Sequence, residues 1–175
     1  MDPTWPYALV GVAVCAVAVA RRERLGRGKA AAILVTVGAV MLASEDGALS
    51  LWLPLVPPGV DPDGLAGVAN PHARAHMLGA GAWTLLAAGL VVALAWGPMR
   101  RGERWGWRCV AAALLVAGAV DVAAYGALYA HGLDAPLPGA RGGFGWPPVA
   151  VALAAWTAGV VLGRPRLRYP SSHSA

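Results

Sequence analysis

Residues 4–20 read TWPYALVGVAVCAVAVA, without one charged side chain, and the run stops abruptly at Arg21-Arg22-Glu23-Arg24. A helix over these residues rises ~1.5 Å per residue and just reaches across a hydrocarbon core of ~30 Å, with Trp5 and Tyr7 at the outer interface. A secretory signal carries its positive charge before the apolar run, whereas here the charge follows it. The stretch therefore reads as a retained transmembrane helix whose end lies at a basic boundary.

The same alternation of apolar run and basic cluster continues outward from this segment. A second run is expected over 30–53, interrupted by Glu45-Asp46-Gly47 and ended by Pro54, Pro57 and Pro58. The helix ends at Glu45 or continues to Leu53, and that choice decides whether the two acids meet water or membrane. A polar loop to about Ala75 leads to further expected spans at 76–96, 109–130 and 146–163, the last two separated by the Gly/Pro-rich loop Gly132–Gly145. The expectation is an all-α integral membrane protein, a five-helix transmembrane bundle in one domain over 1–168, with a short disordered tail at 169–175.

Charge orients the set. Twelve of the fourteen Lys and Arg residues fall in three segments on one side: Arg21–Lys29, Arg100–Arg108 and Arg164–Arg168. Basic residues in short loops collect on the cytoplasmic side, which puts the N-terminus outside and the C-terminus in the cytoplasm of a multi-pass cell-membrane protein. With 58% hydrophobic and 13% charged residues, the net charge of +5 follows from those loops rather than from a basic soluble surface, which argues against nucleic acid as a partner. Cys15 and Cys109 fall at different depths, so they read as packing residues rather than a disulfide.

A shift of 80 residues lays Arg21-x-Glu23-Arg24-x-Gly26 over Arg101-x-Glu103-Arg104-x-Gly106, and the match runs on to give eleven identities over 23 positions. Both copies run in the same direction, so helices one and two and helices three and four read as a parallel repeat.

Candidate chemistry lies in the acids of the apolar runs. Asp121 stands 13 residues beyond Arg108, deep in the fourth run, where an unpaired acid costs ~2.5–3.5 kcal/mol. Trp107, Tyr125 and Tyr129 are spaced to fall near its face, an arrangement suited to a cation beside a proton donor. Glu45 is the candidate partner acid, and Asp46 and Trp83 join the two tyrosines as candidate substrate-binding residues. His72 and His76 have the i, i+4 spacing of metal-binding pairs, though two ligands alone do not define a metal site. No phosphate-binding loop, dinucleotide fingerprint, Cys-x2-Cys pair or nucleophile elbow is present, so no cofactor is expected.

The layout of helix, Arg-rich loop and acid-bearing helix resembles small bacterial membrane lycopene cyclases. The likeness rests on Arg21–Lys29, the Glu45-Asp46-Gly47 turn and the second copy from Arg101 to Gly126 with Asp121. The chain lacks that family's Pro-x-Glu-Glu motif. The resemblance implies acids that protonate a polyene and direct ring closure. The resulting expectation is an isomerase or terpenoid-type cyclase acting on a lipophilic small molecule in an intramembrane pocket, with Asp121 and Glu45 as its acid–base pair. The alternative is a non-enzymatic transporter, metal handler or assembly subunit that works as a homo-oligomer or with a membrane partner.

Overall fold

The computed structural model describes residues 4–44, 71–130 and 146–165. Among them all regular structure is helical. Helices α1 (Thr4–Ala20), α2 (Arg22–Leu25), α3 (Arg27–Leu42), α4 (Pro71–Leu94), α5 (Arg104–Ala130) and α6 (Trp146–Leu162) are joined by one π-helical turn, Ala95–Met99, that extends α4. The expected runs 4–20 and 146–163 coincide with α1 and α6. The fourth starts earlier, at Arg104. The third occupies Pro71–Met99 rather than 76–96, because the residues assigned to its outer loop wind into its first turns. The second is helical from Arg27 to Leu42, with a π-like turn over 43–44, and its expected continuation to Leu53 lies outside the described residues.

The centre of the bundle is the antiparallel pair α3 and α6. Small side chains set its spacing: a Cβ on Gly38 would stand 2.5 Å from the Ala152 carbonyl oxygen, and one on Gly159 would stand 2.8 Å from that of Ala31. Such close backbone approach brings more van der Waals surface of the two helices into contact. Ala31, Ala32, Val35 and Ala39 meet Ala152, Trp156 and Val160 in the buried core. Helix α1 packs on both members of this pair, α4 packs on α3 and α5, and α5 closes against α6. Indole N–H groups tie the layers: Trp96 donates to Thr36 Oγ1 at 2.9 Å, and Trp107 donates to the Val160 carbonyl at 2.7 Å.

The described parts of the three basic segments, 21–29, 100–108 and Arg164, lie at one end of this bundle. Gly28 approaches the Arg100 carbonyl so closely that a Cβ would sit 2.5 Å from it, and Arg27 Nε donates to the Leu162 carbonyl at 2.5 Å. The second contact caps the C-terminus of α6 with a cation, the favourable sign for that helix end. Consequently α1, α4 and α6 run towards the basic end, and α3 and α5 run away from it. At the far end of α1 the Tyr7 hydroxyl meets Ser44 Oγ, which itself bonds the Met41 carbonyl at 3.0 Å.

The two copies of the sequence repeat adopt different backbones in their loops. Gly26 breaks the chain between α2 and α3 at φ 80°, a left-handed value that glycine accepts without strain. Its counterpart Gly106 is helical within α5, packed where a Cβ would lie 2.6 Å from the Pro98 ring. The positive φ of the second loop has moved to Gly102, at 81°. Its cause is upstream: Pro98 lacks an N–H, Gly97 is displaced to φ −88°, ψ −105°, and the chain reverses through π-type bonds instead of a helical turn like α2. Glu103 then accepts from Arg101 Nε at 2.6 Å and from Trp105 Nε1 at 2.7 Å, and the bond from Arg101 leads in holding its carboxyl below the usual range.

Along the helices the described surface carries many exposed aliphatic side chains. Leu9 and Val10 on α1, Leu90 on α4, Leu115 and Val116 on α5 and Val161 on α6 are all exposed. The stretch Leu78–Met99, 22 residues, is long and apolar enough to cross a membrane, while Pro6–Ala20 and Val149–Leu162 are shorter apolar helices.

Candidate functional site

Small residues that let α3 and α6 close up leave a gap where α4 and α5 diverge from them. The gap is a cavity of about 470 Å³. Ala39 and Leu42 of α3 with the following Ala43 form one wall, Thr84, Ala88 and Val91 of α4 a second, Ala113, Ala117 and Val120 of α5 a third, and Trp156 of α6 the remaining one. Alanine dominates because each methyl occupies a wall position without filling the space. Val116 and Val120, 64% and 60% exposed, stand at its rim, so the cavity opens through the side of the bundle. Counting ~1.5 Å per residue from Met99 and from Arg104 puts it roughly 12 to 24 Å from the basic end.

Polar groups in the wall are few. Thr84 Oγ1 donates to the Ala80 carbonyl one turn back, at 2.9 Å. Trp156 is 5% exposed, and its Nε1 is buried without a hydrogen-bond partner. Sequence reading passed over this residue, yet a signal existed: Trp156 lies within the last apolar run, whereas interfacial tryptophans stand at run ends.

The candidate acids divide between two situations. Glu45 and Asp46 lie outside the described residues. Asp121 belongs to α5, four residues beyond the cavity-lining Ala117, and Tyr125 and Tyr129 follow it on the same helix.

Trp83 is placed differently from its expected role in shaping a pocket. It is 71% exposed and outside the cavity wall, while its neighbour Thr84 takes the lining position. A step of one residue turns a helical side chain by about 100°, and α4 presents Thr84 and Ala88 inward. His72 and His76 both lie within α4, so their i, i+4 spacing does share a helix, and His76 is exposed. Among the described residues no group of three His, Cys, Asp or Glu converges as metal ligands would. Cys15 and Cys109 are both free thiols.

No family model, curated protein or solved structure matches the chain.

Proposed function

We propose that this protein is a five-span integral membrane protein, with its basic end in the cytoplasm and its N-terminus outside, that binds a lipophilic molecule in the α3–α4–α5–α6 cavity and performs acid–base chemistry on it with Asp121. The membrane assignment is supported by the inverted distribution of polarity: exposed Leu and Val along the helices, Arg and Lys gathered at one end. The most apolar window of Leu78–Met99 is only 17% buried. A soluble core helix of that composition would be enclosed on all sides.

The observation that carries the catalytic reading is the place of Asp121 on α5, four residues beyond Ala117 in the wall of a largely aliphatic cavity. A carboxyl in its acid form is a proton donor. Delivered to a polyene double bond, the proton makes a new C–H bond and leaves a carbocation. A neighbouring double bond attacks that cation to close a ring and moves the charge to a new carbon; with or without closure, a proton then leaves a carbon adjacent to the cation and a double bond forms there. Return of that proton to the carboxylate restores the acid, so the cycle needs no oxidant and no cofactor. This is the chemistry implied by the resemblance to membrane lycopene cyclases, with Glu45 proposed as the partner acid.

Deuterium exchange tests the step directly. The purified protein incubated with an isoprenoid polyene in deuterated water is expected to incorporate deuterium into carbon, read by mass spectrometry. Asp121→Asn is expected to abolish incorporation while the variant still inserts and keeps its helicity. Undiminished incorporation in that variant removes Asp121 from the chemistry. One observation favours a binding protein without turnover: every described side chain in the wall is chemically inert. That reading predicts ligand binding with no incorporation even in the wild type.

A further inference from the structure

The basic end carries more positive charge than its internal contacts use. Ten Lys and Arg side chains, between 21 and 29, between 100 and 108 and at 164, are all exposed there, against two carboxylates, Glu23 and Glu103. Glu103 is taken by Arg101, the one ion pair among the described residues. Such a surplus draws anions to the whole end, and one place in it is also shaped to hold one. A groove of about 410 Å³ runs between the turn around α2 and the end of α6, lined by Arg22, Glu23, Gly26, Arg27 and Leu162. Nothing lies within 4 Å of where a Cβ on Gly26 would stand, so that position adds no bulk to the groove. Arg27 uses Nε to bond the Leu162 carbonyl on the opposite side, which orients the guanidinium and leaves its terminal N–H groups available. Arg22 is exposed and bonds no described residue.

We infer that this groove binds the headgroup of an anionic phosphodiester lipid of the phosphatidylglycerol type, whose phosphate oxygens accept from Arg22 and Arg27. This rests on reading the chain as a membrane protein and names a lipid partner for its basic end. Guanidinium matches phosphate in geometry as well as charge, and basic pockets at the cytoplasmic ends of membrane helices suit such headgroups. Two guanidiniums and one carboxylate leave the lining with a single net positive charge, the complement of one phosphodiester. A zwitterionic lipid brings an ammonium group of its own into a field of ten cations. The aliphatic part of a lipid also has a place beside the groove. Leu162 is in the lining, the adjoining Val161 is exposed on α6, and Val17 and Val19 are exposed in the last turn of α1, just before Arg22. Acyl chains lie along these two helices while the phosphate sits at their ends.

Alkaline carbonate extraction of membranes comes first, and release of the protein overturns the membrane reading and this proposal with it. With the chain retained, native mass spectrometry of the full chain in detergent micelles compares phosphatidylglycerol with phosphatidylcholine of the same acyl chains. The anionic lipid is expected to bind about five- to tenfold more tightly. Arg22→Gln is expected to weaken its binding about fivefold and Glu23→Gln to tighten it by about as much, since both change the charge inside the groove. Arg104→Gln, the same loss of charge elsewhere on the basic end, is expected to change it less than about twofold. Tightening in Glu23→Gln is an effect that misfolding does not imitate. Equal affinities for the two lipids, or equal losses in Arg22→Gln and Arg104→Gln, overturn the site and leave the membrane reading standing. Glycerophosphoglycerol, the headgroup without its chains, is expected to leave the bound lipid in place. Its displacement of the lipid would make the groove a site for a soluble phosphodiester and overturn the lipid assignment.

Discussion

Replacing Gly38 by Ala inserts one methyl group where α3 and α6 are closest. The added Cβ would stand 2.5 Å from the Ala152 oxygen, 2.7 Å from Trp156 Cβ and 2.9 Å from Trp156 N. None of these atoms sits on a rotatable arm, so no rotamer change relieves the contact. Ordinary contact begins at 3.4 Å, and the helices must part by about 0.9 Å to reach it. A gap of that size forfeits roughly a quarter to a half of each dispersion contact along the seam, and overpacking of this kind costs ~1–3 kcal/mol. Helices α3 and α6 share the most extensive contact in the bundle, which places the expected loss at about 2–3 kcal/mol. Alanine also gains ~1 kcal/mol of helix propensity over glycine, and Gly118→Ala, where nothing lies within 4 Å, measures that gain alone. Equilibrium unfolding in mixed micelles, followed by helicity, compares the two variants. Equal stability to within ~0.5 kcal/mol would refute the close approach of α3 and α6. Gly159→Ala strains the same seam against the Ala31 oxygen and Val35 N, so the double variant should lose less than the sum of the singles.

The other expectations concern the basic end. Because the Arg101 bond lowers the Glu103 carboxyl, its tie to Arg101 and Trp105 is complete above the usual carboxylate range and is lost as pH falls through the lowered value. The Trp105 indole N–H resonance should therefore titrate below the usual Glu value of ~4.3, and Arg101→Gln should move the midpoint upward; a wild-type midpoint at or above the usual value contradicts the geometry. Reporters fused after Ala175 and inserted in the Gly132–Gly145 loop should fall on opposite sides of the membrane, the former cytoplasmic. Both on one side would overturn the five-span topology.

Patterns that depend on one helix alone were legible in the sequence. The runs 4–20 and 146–163 reappear as α1 and α6 because an uncharged stretch bounded by a basic cluster or a Gly/Pro-rich loop has few other solutions. The gathering of basic residues at one end was legible for the same reason. What escaped was set between helices. Trp83 and Thr84 are adjacent in sequence, and only the packing of α4 on α3 and α5 decides which lines the cavity. Gly26 and Gly106 align in the repeat, yet Pro98 upstream of the second copy gives them unlike backbones. Asp121 stands out in the sequence by its cost in an apolar run, while the cavity wall four residues before it, at Ala117, is set by how α5 packs on its neighbours.

Packing and the candidate site share one structural element. Gly38 brings α3 against the backbone and Cβ of Trp156, and one residue further on Ala39 enters the cavity wall together with Trp156. The close contact that holds the bundle together therefore also fixes where the unpartnered indole stands. A larger residue at Ala39 would fill the space, and a larger one at Gly38 would move the indole. The two positions are neighbours on α3 with different constraints, one small for helix contact and the other for the volume of the cavity. A helix rich in alanine and glycine satisfies both without a polar group in the seam. This explains why the chain's small-residue composition serves as both the adhesive of the fold and the means of leaving a cavity within it.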